Sequence, residues 1–253
     1  MLLTHDILSQ ESTQWIIAFY GYGQDAAVYK DLAKKLSASY NLLVINLPYD
    51  AKECSIEKVH FINYIEELCT QYNIQQFIGL SYSIGSRFNL IIAECLPQRL
   101  KQLILIAPDG VQISLWNRFA TSFMGKYLFR LFVKHNNIYM RLLTITYRVH
   151  IIDKSMYAFS KWHMRDEMNR QKVYHVWMNT RKLIPNLSII SNQQKKYGFN
   201  IIAFFGKHDK IIYASRHLHL RKKIPTAKIM LLNKNHQMLD NELFDQIRFL
   251  LNK

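Results

Sequence analysis

The serines of the run Ser-Tyr-Ser-Ile-Gly-Ser (81–86) stand where a hydroxyl could become a nucleophile. An apolar run, QFIGLS (76–81), enters them, and a helical pattern over 85–96 leaves them. A strand that turns straight into a helix strains the backbone of its apex residue, and the close strand–helix approach demands small residues two positions to either side. That strain lifts the apex side chain above the carboxyl edge of a sheet, with the helix N-terminus beneath it. With Ser83 at the apex the flanks are Ser81 and Gly85, followed by Ser86. With Ser81 there, the flanks are Gly79 and Ser83, and bulky Ile84 takes the place of Ser86. The helical pattern runs cleanly from Ile84 to Pro97, which favours Ser83. Read alone, the same segment is also a serine-rich turn capping a helix.

The elements that must carry such a turn recur along the chain. QWIIAF (14–19), NLLVIN (41–46), QFIGLS (76–81), QLILIA (102–107), FNIIAFF (199–205) and AKIMLL (227–232) are short apolar runs bounded by turn signals. Most are continuous, as expected of parallel strands covered on both faces. Helical spacing of apolar residues lies between them at 27–36, 56–72, 85–96 and 241–252. Alternating strands and helices predict an open, mostly parallel α/β sheet with right-handed crossovers and helices on both faces. Only about a dozen residues precede the first strong run, so any earlier strands are few or short. From Gln112 to Tyr197 no strand is evident, and helical patterns break near Asn136–Asn137, Asp153 and Pro185. The expected organisation is a core of 1–111 and 198–253 interrupted by a helical insertion, 112–197.

The chain resembles the α/β-hydrolase family over nearly its full length, in the manner of its helical-capped esterases and thioesterases. The family's nucleophile elbow is usually G-x-S-x-G; here it reads Ser81-Tyr-Ser83-Ile-Gly85, with Ser in place of the first Gly. The stretch PQRLKQLILIAPDG (97–110) is similar to the family's approach to its next strand. In AFYGYGQDAAVYKDLAKKL (18–36) the resemblance implies an oxyanion-hole donor at the backbone N–H of Tyr22, with the N–H of Ile84 as the second. Tyr20 stands where the family usually has His. In IIAFFGKHDKII (201–212) the resemblance places the triad acid at Asp209, with Asp109, after LILIAP, as the competing acid. In KNHQML (234–239) it places the catalytic base at His236. The order Ser83, Asp209, His236 is that of the fold.

These groups imply acyl transfer. An alcohol attacks poorly at neutral pH, so His236 would take the Ser83 proton, and Asp209 would orient the imidazole. The expected function is hydrolysis of a carboxylic ester or thioester with an apolar acyl group, without cofactor. Two alternatives remain open: the same fold catalysing elimination or carbon–carbon cleavage, and a catalytically silent basic module that binds an anionic membrane or an acidic partner.

Composition sets the surroundings. Apolar residues make up 49 % and charged residues 20 %, enough for a sizeable core. Cys54, Cys69 and Cys95 are scattered without a CxxC pair, so neither a disulfide framework nor a zinc site is expected. Neither a signal peptide nor a membrane span is evident, and a cytoplasmic protein is the expectation. The net charge of +15 is concentrated: residues 112–199 hold fifteen Lys/Arg and three Asp/Glu, a net of +12, leaving +3 elsewhere. At the start of the insertion Leu115, Phe119, Phe123, Tyr127 and Leu131 recur every four residues, with Trp116, Ala120, Met124, Leu128 and Phe132 beside them. Arg118, Ser122, Lys126, Arg130 and Lys134 form a third row. One helix packed as a cap explains these rows; a basic amphipathic helix at an anionic membrane, or a dock for an acyl carrier protein, are sharper readings. Nucleic acid is a weaker candidate, because the aromatic residues among these basic ones follow helical core spacing.

Overall fold

A computed structural model describes residues 3–48 and 55–251. Cys54 and the last residue of the expected final helix, Asn252, lie outside the described residues. The strands are β1 (His5–Ser9), β2 (Trp15–Phe19), β3 (Asn41–Ile45), β4 (Phe77–Tyr82), β5 (Leu100–Ile106), β6 (Asn200–Gly206) and β7 (Lys228–Leu232). They form one sheet of order β1-β3-β2-β4-β5-β6-β7, in which only β1 runs antiparallel. Each of the six apolar runs is a strand, and β2, β3 and β4 are buried along their whole length. The added strand, β1, is a half-buried edge whose sequence HDILS lacks a continuous apolar run. At the other edge β7 leaves Lys228 and Leu231 exposed, so it is not covered on both faces as the central strands are.

The helices are α1 (Lys30–Leu36), α2 (Lys58–Gln71), α3 (Ser86–Cys95), α4 (Leu115–Ala120), α5 (Phe123–Lys134) and α6 (Asn136–Arg148). They continue with α7 (Lys154–His163), α8 (Glu167–Thr180), α9 (Leu187–Tyr197), α10 (Arg216–Lys223) and α11 (Asn241–Leu251). The chain divides into two compact units: Met1–Leu47, Glu57–Gln112 and Leu183–Lys253 make the first, Pro48–Ile56 and Ile113–Lys182 the second.

In the first unit the chain leaves β2 for β3 on one side, then crosses back to β4 on the other. Right-handed crossovers therefore put α1 on one face and α2 and α3 on the opposite face. The reversal makes a topological switch point at the carboxyl ends of β2 and β4, the place where open α/β sheets bind their ligands. Behind it Phe19 stacks on Phe88 at 5.2 Å between ring centroids, and Phe61 meets both edge-on. All three rings are fully buried, each worth roughly 1.5–3 kcal/mol relative to exposure. Residues 187–197, expected within the insertion, form α9, which belongs to this first unit. It buries Leu187, Ile190, Ser191 and Gln194, packs on α3, and is part of the crossover from β5 to β6.

The second unit is helical, α4 to α8. Phe129 of α5 lies edge-on to Tyr174 and Trp177 of α8, and buried Arg170 donates to the Val133 carbonyl at 2.8 Å. The apolar rows that begin at Leu115 are not one helix. Ser122 caps a new start, its hydroxyl accepting from the Gly125 N–H, and Gly125 sits against the Phe119 carbonyl where a Cβ would collide at 1.8 Å. The rows beginning at Leu115 and Trp116 therefore belong to two helices joined at Thr121–Ser122.

Candidate active site

β4 ends at Tyr82, and Ser83–Gly85 form a single tight turn before α3. Ser83 has φ +52°, a left-handed backbone that is costly for any side chain and marks strain at an apex. Gly85 explains why the turn needs a glycine: a Cβ there would come within 2.5 Å of the Tyr20 carbonyl oxygen and 2.6 Å of that of Phe19. This contact lays the start of α3 directly on the exit of β2. Ser81, the rival apex, is inside β4 and fully buried, so it faces no substrate. Among the described residues its hydroxyl has no hydrogen-bond partner.

The loops after β6 and β7 are fastened to each other. His208 N–H donates to the Lys234 carbonyl, and Gly206 approaches Lys234 so closely that a Cβ would lie 2.5 Å from that oxygen. This pairing brings Asp209 and His236 together, with Asp209 Oδ2 2.8 Å from His236 Nδ1. The second carboxylate oxygen accepts from the N–H groups of Ile211 and Ile212, both at 2.8 Å. The Asp209 side chain is wholly shielded from solvent, whereas His236 keeps part of its ring exposed. With Nδ1 facing the carboxylate, Nε2 is the nitrogen left for proton transfer.

Asp109 is engaged elsewhere. Its carboxylate takes Arg87 Nε at 2.8 Å, with a second guanidinium nitrogen at 2.7 Å, and Arg216 stands 3.7 Å away. Its position therefore serves the elbow rather than the imidazole. Tyr82, next to Ser83, meets the His236 loop: its ring lies 5.3 Å from the imidazole, and its hydroxyl donates to the His236 carbonyl at 2.6 Å. Among the described residues no hydrogen bond joins Ser83 to His236; contacts between a nucleophile and its base are often long until substrate binds. Burial, then the nearby Asp209 charge, pushes the Tyr82 hydroxyl well above its ordinary value, so it stays a neutral donor.

Tyr22 is half-buried in the turn after β2, where Gly23 adopts φ +78° and Gln24 accepts from the Gly21 N–H at 2.9 Å. Ile84 is buried directly after Ser83. Tyr20 donates its hydroxyl to Asn46 and accepts from the Leu47 N–H, so it braces the exits of β2 and β3. Among the described residues no group of three or more His, Cys, Asp or Glu is placed to hold a metal ion.

No family model and no curated protein matches the chain. Solved structures do. A carboxylesterase structure from the thaumarchaeon Nitrososphaera gargenis aligns with 99 % of this chain and 94 % of its own, at TM-score 0.66 and 14 % identity. An enol-lactonase from Burkholderia xenovorans LB400 aligns with 99 % and 95 %, at TM-score 0.64 and 14 % identity. A thermophilic esterase from Thermogutta terrifontis gives 99 % and 93 %, TM-score 0.65 and 11 % identity. The chain has the α/β-hydrolase fold.

Within this hydrolase fold, two features escaped the sequence. Tyr82 supports the His236 loop, yet only its place between two serines marked it. The Arg87–Asp109 pair spans 22 residues and has no local spacing signal.

Proposed function

We propose that the protein is a serine hydrolase that cleaves a carboxylic ester or thioester with an apolar acyl group. The observation that carries this reading is the 2.8 Å contact between His236 Nδ1 and the buried Asp209 carboxylate, in a chain whose strand-to-helix elbow holds Ser83 at φ +52°. His236 Nε2 accepts the proton of Ser83 as its oxygen attacks the acyl carbon. Asp209 holds the imidazole in the right tautomer and stabilises its cationic form. The backbone N–H groups of Tyr22 and Ile84 receive the developing oxyanion, a role worth roughly 3–4 kcal/mol for one donor in a well-measured protease. His236 then returns the proton to the leaving group, and water activated by the same imidazole releases the acid. The carboxylesterase and enol-lactonase named among structures of the same fold support ester and lactone chemistry.

A fluorophosphonate probe tests this reading. Labelling is expected in the parent chain and in Ser81→Ala, and is expected to vanish in Ser83→Ala. Labelling that persists in Ser83→Ala would overturn the assignment.

A further inference from the structure

The second unit exposes an apolar surface that its own packing does not use. Leu115, Trp116, Phe123 and Met124 of α4 and α5 are 80, 61, 76 and 78 % exposed. α5 already has a packing face in Gly125, Phe129 and Val133, so its exposed Phe123 and Met124 are apolar side chains that this packing does not use. On α6 the residues Ile138, Leu142 and Ile145 are also exposed, at the spacing of one helical stripe. Exposed apolar side chains gathered on helices that pack against one another, α4 on α5 and α5 on α6, mark an interaction site; single exposed residues do not.

The charge around the patch has one sign. From Ile113 to Ile152 the chain carries Arg118, Lys126, Arg130, Lys134, Arg141 and Arg148, and neither Asp nor Glu. Lys126 Nζ stands 5.7 Å from the Phe123 ring and 5.3 Å from the Tyr127 ring, so cation and apolar face point the same way. Among the described residues no helix is long and apolar enough to cross a membrane. Short basic helices with protruding Trp, Phe, Leu and Met instead suit the boundary between lipid headgroups and acyl chains.

We propose that α4, α5 and α6 form a docking surface for an anionic lipid membrane. Leu115, Trp116, Phe123 and Met124 enter the headgroup–acyl boundary, and the Lys and Arg side chains meet lipid phosphates. An acidic protein would answer the charge but leave four protruding apolar side chains without an apolar phase. Docking is a binding property and does not depend on Ser83 being a nucleophile.

The test is sedimentation of the full chain with phosphatidylcholine vesicles, with and without phosphatidylglycerol, at low and high salt. Binding is expected to be at least about tenfold tighter to the anionic vesicles and to weaken steeply with salt. The combined variant Leu115→Ser, Trp116→Ser, Phe123→Ser, Met124→Ser is expected to lose about tenfold or more of that binding with unchanged melting. Should that variant not fold, Phe123→Ser alone and quenching of Trp116 by bromine-bearing acyl chains read the same insertion. Equal binding to both vesicle types, undiminished binding by the serine variants, or binding to an acidic carrier protein but not to vesicles would overturn the proposal.

Discussion

The backbone N–H of Asp109 donates to the carbonyl oxygen of Ser83 at 3.0 Å, while the Asp109 carboxylate holds Arg87 of the helix that Ser83 opens. One residue thus ties both ends of the strained turn. Asp109→Asn takes a negative charge away from a guanidinium that is almost completely buried. The expected loss is about 3–5 kcal/mol, the usual cost of breaking a buried pair by removing one partner. Denaturant titration of the variant measures it, and a loss below about 1 kcal/mol would show that the pair is not a structural clamp.

Gly85→Ala is expected to disturb the elbow from its other side. The added methyl would meet backbone carbonyl oxygens of Phe19 and Tyr20, which cannot rotate away. A cost of roughly 1–3 kcal/mol or more is expected from overpacking, together with slower probe labelling of Ser83. Labelling at the parent rate would argue that the elbow tolerates a wider gap between β2 and α3.

Asp209→Asn preserves size but presents an amide to His236 Nδ1, stabilising the wrong tautomer. Turnover on an ester substrate is expected to fall about 10⁴-fold, the loss seen when this acid is replaced in a serine protease. Asp109→Asn, assayed under conditions where it is folded, is expected to lose far less. If the two losses were reversed, Asp109 would be the acid.

The support of the His236 loop has a pH signature. Burial raises the Asp240 carboxyl, but hydrogen bonds from Lys234 and the Leu243 N–H outweigh it and hold the group below the usual carboxylate range. Burial lowers the Lys234 ammonium, yet its bonds to Asp240 and Glu242 leave it raised. A carboxyl depressed by folding contributes stability above its unfolded value of ~3.9 and loses it as pH falls through the folded value. A raised ammonium contributes below its unfolded value of ~10.4 and loses this as pH climbs through the folded value. The melting difference between the parent chain and Asp240→Asn should therefore be steady at neutral pH and close in acid and in strong alkali. Because Asp240 is half-exposed, the gap is expected to be only a few tenths to about 1 kcal/mol. A gap that widens in acid contradicts the pairing.

Cys69 gives an independent check on the core. Burial foremost, tempered by Arg99 and reinforced by Glu66, pushes its thiol up to about 11. Alkylation of Cys69 at neutral pH is expected only after unfolding, read by peptide mass mapping. Rapid native-state alkylation would show that α2 opens locally.

The six strands and the elbow were legible because a continuous apolar run such as NIIAFF has only one economical place, inside a sheet covered on both faces. β1 was not, since HDILS is short, partly polar and stable only against β3. The α4–α5 break hid in rows of large apolar residues, where Thr121 and Ser122 carried too little contrast to mark a cap. The pairing of Asp209 with His236 could be anticipated only by resemblance, because it depends on two loops meeting across β6 and β7. Arg87, inside an amphipathic helical pattern, gave no sign that it would be buried against Asp109.

The sheet order also governs when the site comes into being. Among the described residues β7 pairs only with β6 and sits at the sheet's outer edge, and the loop that follows it bears His236. A chain emerging from the ribosome can build β2 through β5, and with them the strained serine, well before that last strand is available. Under the proposed mechanism Ser83 has no base until β7 docks, so the growing polypeptide would carry an inert alcohol and gain reactivity only when the edge of the sheet is finished.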